Sequence, residues 1–263
     1  MKLSICQIVS SDDVGANLAE IGRVTEAAAA EGADVAVFPE FAMIGVAALT
    51  PEVLAQAQPL DGPFVSGLAQ VAERTGVAII AGVLEEIPGE TRAYNSLVVV
   101  TPDAGLTAVY HKAHLYDAFG FKESDHICPG ALDGAVTFDV HGVRLGLLTC
   151  YDLRFPEAAR QHADAGVDVI VYPAAWVPGP RKEDHWQTLA RARAIENTLY
   201  VAAISQGPPL GVGGSLIVDP MGLVLGEIGE RNGVATAAIH PDRIAEVRQT
   251  NPSLANRRFT IST

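Results

Sequence analysis

The chain reads as an α/β protein in which helices cover one mixed sheet or two sheets. Three observations lead there. Helix-like and strand-like segments alternate at both ends of the chain. Strand hairpins fill its middle. No linker-like or low-complexity stretch divides its 263 residues. Such alternation is the pattern of strands buried under helices. With 49% hydrophobic residues, the length suits one large domain or two smaller ones.

Leu3 to Val9 reads as a buried strand, and the Ala-rich stretch Gly15 to Glu31 as a helix. Asp34 to Phe38 is a second apolar strand that ends at Pro39-Glu40. Gly62 to Thr75 reads as a helix stopped by Gly76. Val77 to Leu84 and Ser96 to Val100 are strands separated by a Gly/Pro-containing turn. Thr101-Pro102-Asp103-Ala104-Gly105 is a hairpin-type turn leading to strand Leu106 to Tyr110.

Lys112 to Asp133 reads as a loop. Ala135 to Asp139 and Val143 to Leu148 are strands joined through His141-Gly142. Phe155 to Ala165 is helical, with Pro156 tolerated in its first turn. Asp168 to Tyr172 is a strand, Lys182 to Asn197 a long helix, and Leu199 to Ile204 a strand. Ser215 to Val218 and Leu223 to Leu225 flank a turn at Asp219-Pro220-Met221-Gly222. Val234 to Ile239 is the last strand, before a short helix and a polar tail. A weak internal echo is visible. Strands end in polar residues at Phe38-Pro39-Glu40, at Cys150 and at Tyr172-Pro173. Active sites of open α/β sheets collect at such ends.

Lys and Arg number 18 against 31 Asp and Glu, a formal net charge of -13. Such a surface repels phosphate backbones and anionic lipid, which argues against nucleic-acid or membrane partners. A local basic pocket for an acidic substrate remains compatible with it. Three cysteines, Cys6, Cys128 and Cys150, do not read as a disulfide framework, so a reducing compartment is expected. The N-terminal segment lacks the features of a signal peptide, and no long apolar run suggests a membrane span. The default expectation is a soluble cytoplasmic protein.

Cys150 is the strongest candidate for chemistry. The apolar run Val143 to Leu148 delivers it to a polar turn that reads as the start of a helix. Backbone N–H groups at a helix start favour the thiolate, the nucleophilic form. The alternative is a buried core thiol, and the polar pair Tyr151-Asp152 favours exposure to a site. Cys6 lies inside a strand and reads as core, and Cys128 has no assigned role.

Glu40 stands between Phe38 and Phe41. A carboxylate in an apolar setting can act as a base nearer neutral pH; the alternative is an ordinary loop-end glutamate. Lys112 could hold a thiolate and then an oxyanion, or be a solvated lysine after a strand. A Cys-His dyad has three candidates, His111, His114 and His126, and the local pattern selects none. HExxH and paired CxxC are absent, so metal binding reads as weak, and no GxSxG or Walker motif is present. Arg191 to Asn197 reads as a helix face in internal ion pairs or a subunit contact.

These segments together resemble the nitrilase superfamily of carbon–nitrogen hydrolases. The match runs through Phe38-Pro39-Glu40-Phe41, Tyr110-His111-Lys112 with His114-Leu115, and Cys150-Tyr151-Asp152-Leu153-Arg154-Phe155-Pro156-Glu157. Tyr172-Pro173-Ala174, His185-Trp186 and Arg191 to Asn197 support it. Order and spacing both fit, and the resemblance covers nearly the whole chain as a single carbon–nitrogen hydrolase domain, residues 1–263.

The resemblance implies a four-layer αββα sandwich. It implies a catalytic triad of Glu40 as general base, Lys112 as stabiliser and proton donor, and Cys150 as nucleophile. Glu123 matches the place of a second glutamate that positions Lys112 and the substrate. The implied substrate is a small amide, with Tyr151, Trp176 and Tyr116 against it. No cofactor is implied. Subunits would pair through Phe155 to Ala165 and Lys182 to Asn197, giving a homodimer or higher homo-oligomer.

Cys-Tyr-Asp-Leu-Arg-Phe-Pro-Glu is similar to the branch of omega-amidases and deaminated-glutathione amidases. The chain departs from it past Tyr172, where Trp176 replaces a smaller aromatic, so the accepted acyl group is expected to differ. Arg154 and Glu157 are expected to form a buried structural pair. Arg181 or Lys182 could bind a distal carboxylate of the substrate or be solvated. The competing readings are a carbamoylase or nitrilase using the same triad, and a non-catalytic member that binds a partner through its helices.

Overall fold

The structure, a computed structural model, describes residues 1–260. In chain order its first half holds β1 (Lys2–Gln7), α1 (Val14–Ala30), β2 (Val35–Val37), α2 (Pro51–Leu54), α3 (Pro63–Thr75), β3 (Ala78–Glu86), β4 (Ala93–Thr101) and β5 (Gly105–His111). Then come β6 (Thr137–Val140), β7 (Val143–Leu147), α4 (Pro156–Asp164), β8 (Val169–Ala174), α5 (Lys182–Asn197) and β9 (Tyr200–Ser205). The chain closes with β10 (Leu216–Val218), β11 (Val224–Glu227), β12 (Gly233–Ala238) and α6 (Pro241–Thr250).

The strands form two six-stranded sheets, ordered β12-β1-β2-β3-β4-β5 and β11-β10-β9-β8-β7-β6. Starting from β12 and from β6, both sheets pair in the same sequence: antiparallel, parallel, parallel, antiparallel, antiparallel. The echo of strand endings in the sequence is therefore an echo of topology. The ends of β2 and β8 occupy equivalent places in the two sheets.

Side chains alternate across each strand, and the two faces of the first sheet enter different cores. Leu3, Ile5, Val35, Val37, Ile80, Leu97 and Val99 meet Leu145, Leu147, Val169, Val171 and Val201 of the second sheet in one cluster. Cys6, Ala36, Phe38, Ile79, Ala81 and Val98 pack instead under Ile21 and Val24 of α1 and Leu68 and Val71 of α3. Trp186, Ala190 and Ala194 of α5 cover the second sheet. The layers are thus helix, sheet, sheet, helix, the expected sandwich. Strands buried on both faces explain the uninterrupted apolar runs in the sequence. Each fully buried Leu, Ile or Val contributes roughly 1.5–3 kcal/mol, a drive that offsets the burial of charged groups at the strand ends.

The boundaries differ from the sequence reading in a few places. The short helix α2 is capped by the Thr50 hydroxyl, which accepts from the Val53 N–H at 3.4 Å, in a stretch without strong periodicity. β4 starts three residues earlier than Ser96, carried by its long pairing with β3. The helix expected directly after Cys150 is a 3-10 turn, Cys150–Arg154, and α4 starts only at Pro156. Gly76 ends α3 in the left-handed region at φ 70°, as its place in the sequence implies.

Candidate active site

Glu40 lies just past the end of β2, and the neighbouring strand comes unusually close there. Gly82 of β3 donates its N–H to the Pro39 carbonyl at 3.1 Å. A Cβ at Gly82 would fall 2.6 Å from Glu40 Cα and closer still to the Phe41 nitrogen, so only glycine permits this approach. Phe41 itself takes φ 55°. Gln206, next after β9, donates from Nε2 to the Glu40 carbonyl at 3.0 Å. The Ala175 N–H at the end of β8 donates to Glu40 Oε2 at 2.7 Å. Glu40 thereby joins the two sheets while only 1% exposed.

Lys112 follows β5. Its N–H bonds the Asn95 carbonyl at 2.9 Å, continuing the ladder to β4 for one more residue. The ammonium lies between two carboxylates, 2.9 Å from Glu40 Oε1 and 2.9 and 3.2 Å from Glu123 Oε2 and Oε1. Burial opposes the charge, but Glu123 and Glu40 outweigh it and hold the ammonium well above the ordinary lysine pKa. Glu123 starts a 3-10 turn, Glu123–Asp125, and also accepts the Tyr116 N–H at 2.6 Å. Asn95 of β4 donates from one Nδ2 to Glu40 at 2.7 Å and to Glu123 at 3.0 Å. Sequence reading missed Asn95. Its only signal is a polar pair, Asn95-Ser96, directly before the apolar run Leu97 to Val100.

Cys150 caps β7 in the left-handed region, φ 46°, an uncommon conformation for a non-glycine residue. The sequence reading expected a favoured thiolate. The structure reverses that: burial and then the Glu40 carboxylate push the thiol well above its ordinary pKa, more than Lys112 lowers it.

Asp152 is also a correction. The polar pair Tyr151-Asp152 suggests exposure at this turn, but Asp152 is fully buried. Its carboxylate accepts from the Thr149 N–H at 2.8 Å and the Tyr110 hydroxyl at 2.7 Å. It also accepts from the His114 N–H at 3.1 Å and sits 2.7 Å from His114 Nδ1. One side chain therefore ties the Cys150 turn to both sides of Lys112. That use of His114, and the pairing of His111 with Glu85 at 2.8 Å, leave neither histidine serving the cysteine.

A cavity of about 280 Å³ opens over these groups. Glu40, Lys112, Glu123, Cys150, Tyr151, Tyr116 and Trp176 all line it, so every residue named from the sequence as a site residue is brought to one place. His126 and Lys182 line it as well. Trp176 is almost fully buried, with its indole N–H donating to the Lys182 carbonyl at 2.8 Å. Arg154 and Glu157 do not pair. Glu157 is exposed, while the Arg154 guanidinium stacks 4.8 Å over the Trp176 ring and reaches His185 at 3.4 Å. Phe155 ends the 3-10 turn and caps α4, so the two residues stand on different elements. Arg193 pairs with Glu196 at 2.9 Å and bonds the Leu153 carbonyl, so the Arg191–Asn197 stretch does hold an internal ion pair. Cys6 is core, and Cys128 is a half-buried free thiol.

Among the described residues, no helix is long and apolar enough to cross a membrane. A carbon–nitrogen hydrolase family model matches residues 2–249. A deaminated glutathione amidase of Synechocystis is 37% identical over 269 residues, covering 96% of each chain. The omega-amidase NIT2 of Mus musculus is 32% identical over 276 residues, 100% of this chain and 96% of its own. The crystal structure of Saccharomyces cerevisiae Nit3, of branch 10 of the nitrilase superfamily, has a TM-score of 0.86 at 28% identity, with 98% of this chain and 97% of that one covered. With the same sandwich and a family match along nearly its full length, this chain belongs to the carbon–nitrogen hydrolase family of the nitrilase superfamily, hydrolases of carbon–nitrogen bonds.

Proposed function

We propose that the chain is a cysteine amidase that cleaves a small amide, the omega-amide of a carboxylic or keto acid, to the acid and ammonia. The observation that carries this reading is the Glu40–Lys112–Glu123 cluster buried beside the Cys150 thiol at one cavity. The names of the relatives support the choice of an amide over a nitrile or carbamoyl compound.

In the proposed reaction, Glu40 takes the thiol proton as the Cys150 sulfur attacks the amide carbon. The carbonyl π electrons move to oxygen. The Lys112 ammonium and the Tyr151 N–H hold that oxyanion; in the first turn of a helix no carbonyl of the helix itself is available to this N–H. As the intermediate collapses, the C–N bond breaks, the nitrogen takes the proton from Glu40, and ammonia leaves a thioester. A water then gives a proton to Glu40 and its oxygen to the acyl carbon, and the sulfur leaves as the thiol with that proton. Glu123 holds Lys112 in place. Because burial raises the thiol pKa, the attack needs a base, and Glu40 lines the same cavity.

The resemblance also suggests a homodimer through α4 and α5, which light scattering tests. A reducing, cytoplasmic setting suits a free catalytic thiol. The deciding experiment is ammonia release from a panel, each member run against Cys150→Ala. The panel holds alpha-ketoglutaramate, alpha-ketosuccinamate, deaminated glutathione, glutamine, aliphatic amides, N-carbamoyl amino acids and nitriles. Cys150-dependent release from the acid amides is expected. Turnover confined to carbamoyl compounds or nitriles would move the protein to that chemistry. Silence throughout would favour a partner-binding role.

A further inference from the structure

Glu40, Glu123 and Lys112 are all buried, with both carboxylates against the one ammonium. One uncharged residue touches every member of this cluster. The Asn95 carbonyl accepts the Lys112 N–H at 2.9 Å. Its side-chain Nδ2 donates to Oε1 of Glu40 at 2.7 Å and to Oε1 of Glu123 at 3.0 Å. The pairing of β4 carries Asn95 to this place. It lies opposite Leu84 of β3, just past the close approach at Gly82. Ala93 bonds the His126 carbonyl at 3.0 Å and the Cys128 N–H at 2.9 Å, which docks the Glu123 turn against the start of β4.

The amide is turned for the acids alone. Its nitrogen faces the carboxylates, and its oxygen is buried without a donor. An orphaned buried carbonyl destabilises a fold, and a leucine of similar shape would avoid it at a position 1% exposed. What the amide adds is visible oxygen by oxygen. Glu40 Oε2 holds the Ala175 N–H, and Glu123 Oε2 holds the Tyr116 N–H. Among the described residues, Oε1 of each acid has Lys112 and Asn95 as its donors. An ammonium has three hydrogens, and both acids and an oxyanion compete for them. With Asn95 in place, every carboxylate oxygen of the pair keeps a donor when Lys112 turns one hydrogen to the substrate.

We propose that Asn95 is a positioning residue: its single NH2 group, shared by Glu40 and Glu123, holds both carboxylates in place and frees a Lys112 hydrogen for the oxyanion. This role rests on the amidase reading above and adds a member to its machinery. Asn95 stands behind the acids, outside the cavity lining, so it acts through them and not on the substrate. Facing Glu40 from the other elements are Lys112 after β5, Glu123 in its 3-10 turn, Cys150 after β7 and the uncharged Ala175 N–H after β8. Hydrogen bonds donated to a carboxylate favour its charged form. Loss of Asn95 therefore moves the acid limb of activity to higher pH.

The test uses Asn95→Leu, which removes the donors and the orphaned oxygen together, with its fold checked by circular dichroism. Its kcat is expected to fall by about tenfold or more while KM stays within about threefold, as for loss of a hydrogen bond to a charged group off the substrate. The acid limb of kcat/KM is expected to rise by about one pH unit, which a residue that only packs would not cause. Asn95→Asp keeps the shape but replaces donors by acceptors, and is expected to lose at least as much. If Asn95→Leu does not fold, full kcat in Asn95→Asp overturns the proposal. Alkylation of Cys150 by iodoacetamide, read on its peptide by mass spectrometry, needs Glu40 as base but no amide hydrolysis. It is expected to slow by about tenfold at neutral pH in either variant. If the wild type cleaves no amide, the amidase reading fails, and slower alkylation in the variants still upholds the role of Asn95. Wild-type kcat in Asn95→Leu, or an unmoved acid limb with unchanged alkylation, overturns it.

Discussion

Asp152 gives the sharpest test of how the site is held together. Its carboxylate takes two donors on each oxygen: Tyr110 and Thr149 on Oδ2, and the N–H and Nδ1 of His114 on Oδ1. Asp152→Asn keeps the shape but turns one oxygen into an NH2 group. If the amide nitrogen takes the Oδ2 place, the Tyr110 hydroxyl can rotate and accept, but the Thr149 N–H cannot. If it takes the Oδ1 place, the His114 N–H is orphaned instead. Either way one buried N–H loses its acceptor, at roughly 1–3 kcal/mol, and the surviving bonds lose the assistance of a charge, at about 1 kcal/mol or more in sum. We expect about 3 kcal/mol of lost stability, and a Tm lower by roughly 6–12 °C for a chain of this size. The loss should also reach kcat, since the side chain couples the Cys150 turn to the Lys112 segment. Thermal unfolding and steady-state ammonia release measure the two effects. A Tm within about 2 °C of wild type together with full kcat would refute the coupling and make Asp152 an ordinary buried acid.

Lys112→Ala should lower kcat by at least ~100-fold, the size of one lost oxyanion donor. It should also cost roughly 3–5 kcal/mol of stability, because Glu40 and Glu123 would face each other without their shared cation; a loss under tenfold in kcat removes Lys112 from the mechanism. Gly82→Ala should displace the Glu40 backbone and impair turnover well beyond its effect on Tm. Wild-type kinetics in that variant would mean that the β3 approach is slack. Cys6, Cys150, Tyr110 and Tyr172 all have raised pKa values, with burial as the first cause. Below about pH 8.5 these groups are protonated in folded and unfolded chains alike, and their contribution is complete. Above it the unfolded chain releases protons that the fold retains, so stability falls as pH rises. Tm measured from pH 8 to 10.5 should decline steadily, and a flat profile would contradict the burial assigned to these groups.

Much of the site could be read from local sequence because its charged members follow strand ends. Glu40 and Cys150 each come where a buried apolar strand with a parallel partner gives way to polar residues, whereas Lys112 follows β5, a partly exposed antiparallel edge strand, and is marked only by its local motif. The left-handed turn at Cys150 and the close pass of Gly82 leave no such local mark. Asn95 looks like a solvent-facing residue of a strand until β4 is placed beside Lys112. The raised pKa of the thiol is hidden from the sequence for a similar reason. The helix start after Cys150 is visible in the sequence and favours a thiolate. The burial and the carboxylate of Glu40, more than a hundred positions away, are not visible, and they win.

The alternation of helices and strands, the positions of the strand ends, and the family to which their motifs are similar are legible along the chain, since these depend on periodicity and short-range pattern. The packed fold alone shows that Lys112 lies between two carboxylates while Lys182 has none among the described residues, that Arg154 and Glu157 part company, and that Asp152 is a buried tie. Each of those depends on which distant charges share a low-dielectric space. That is set by how the two sheets pack face to face, and no stretch of the chain carries it alone.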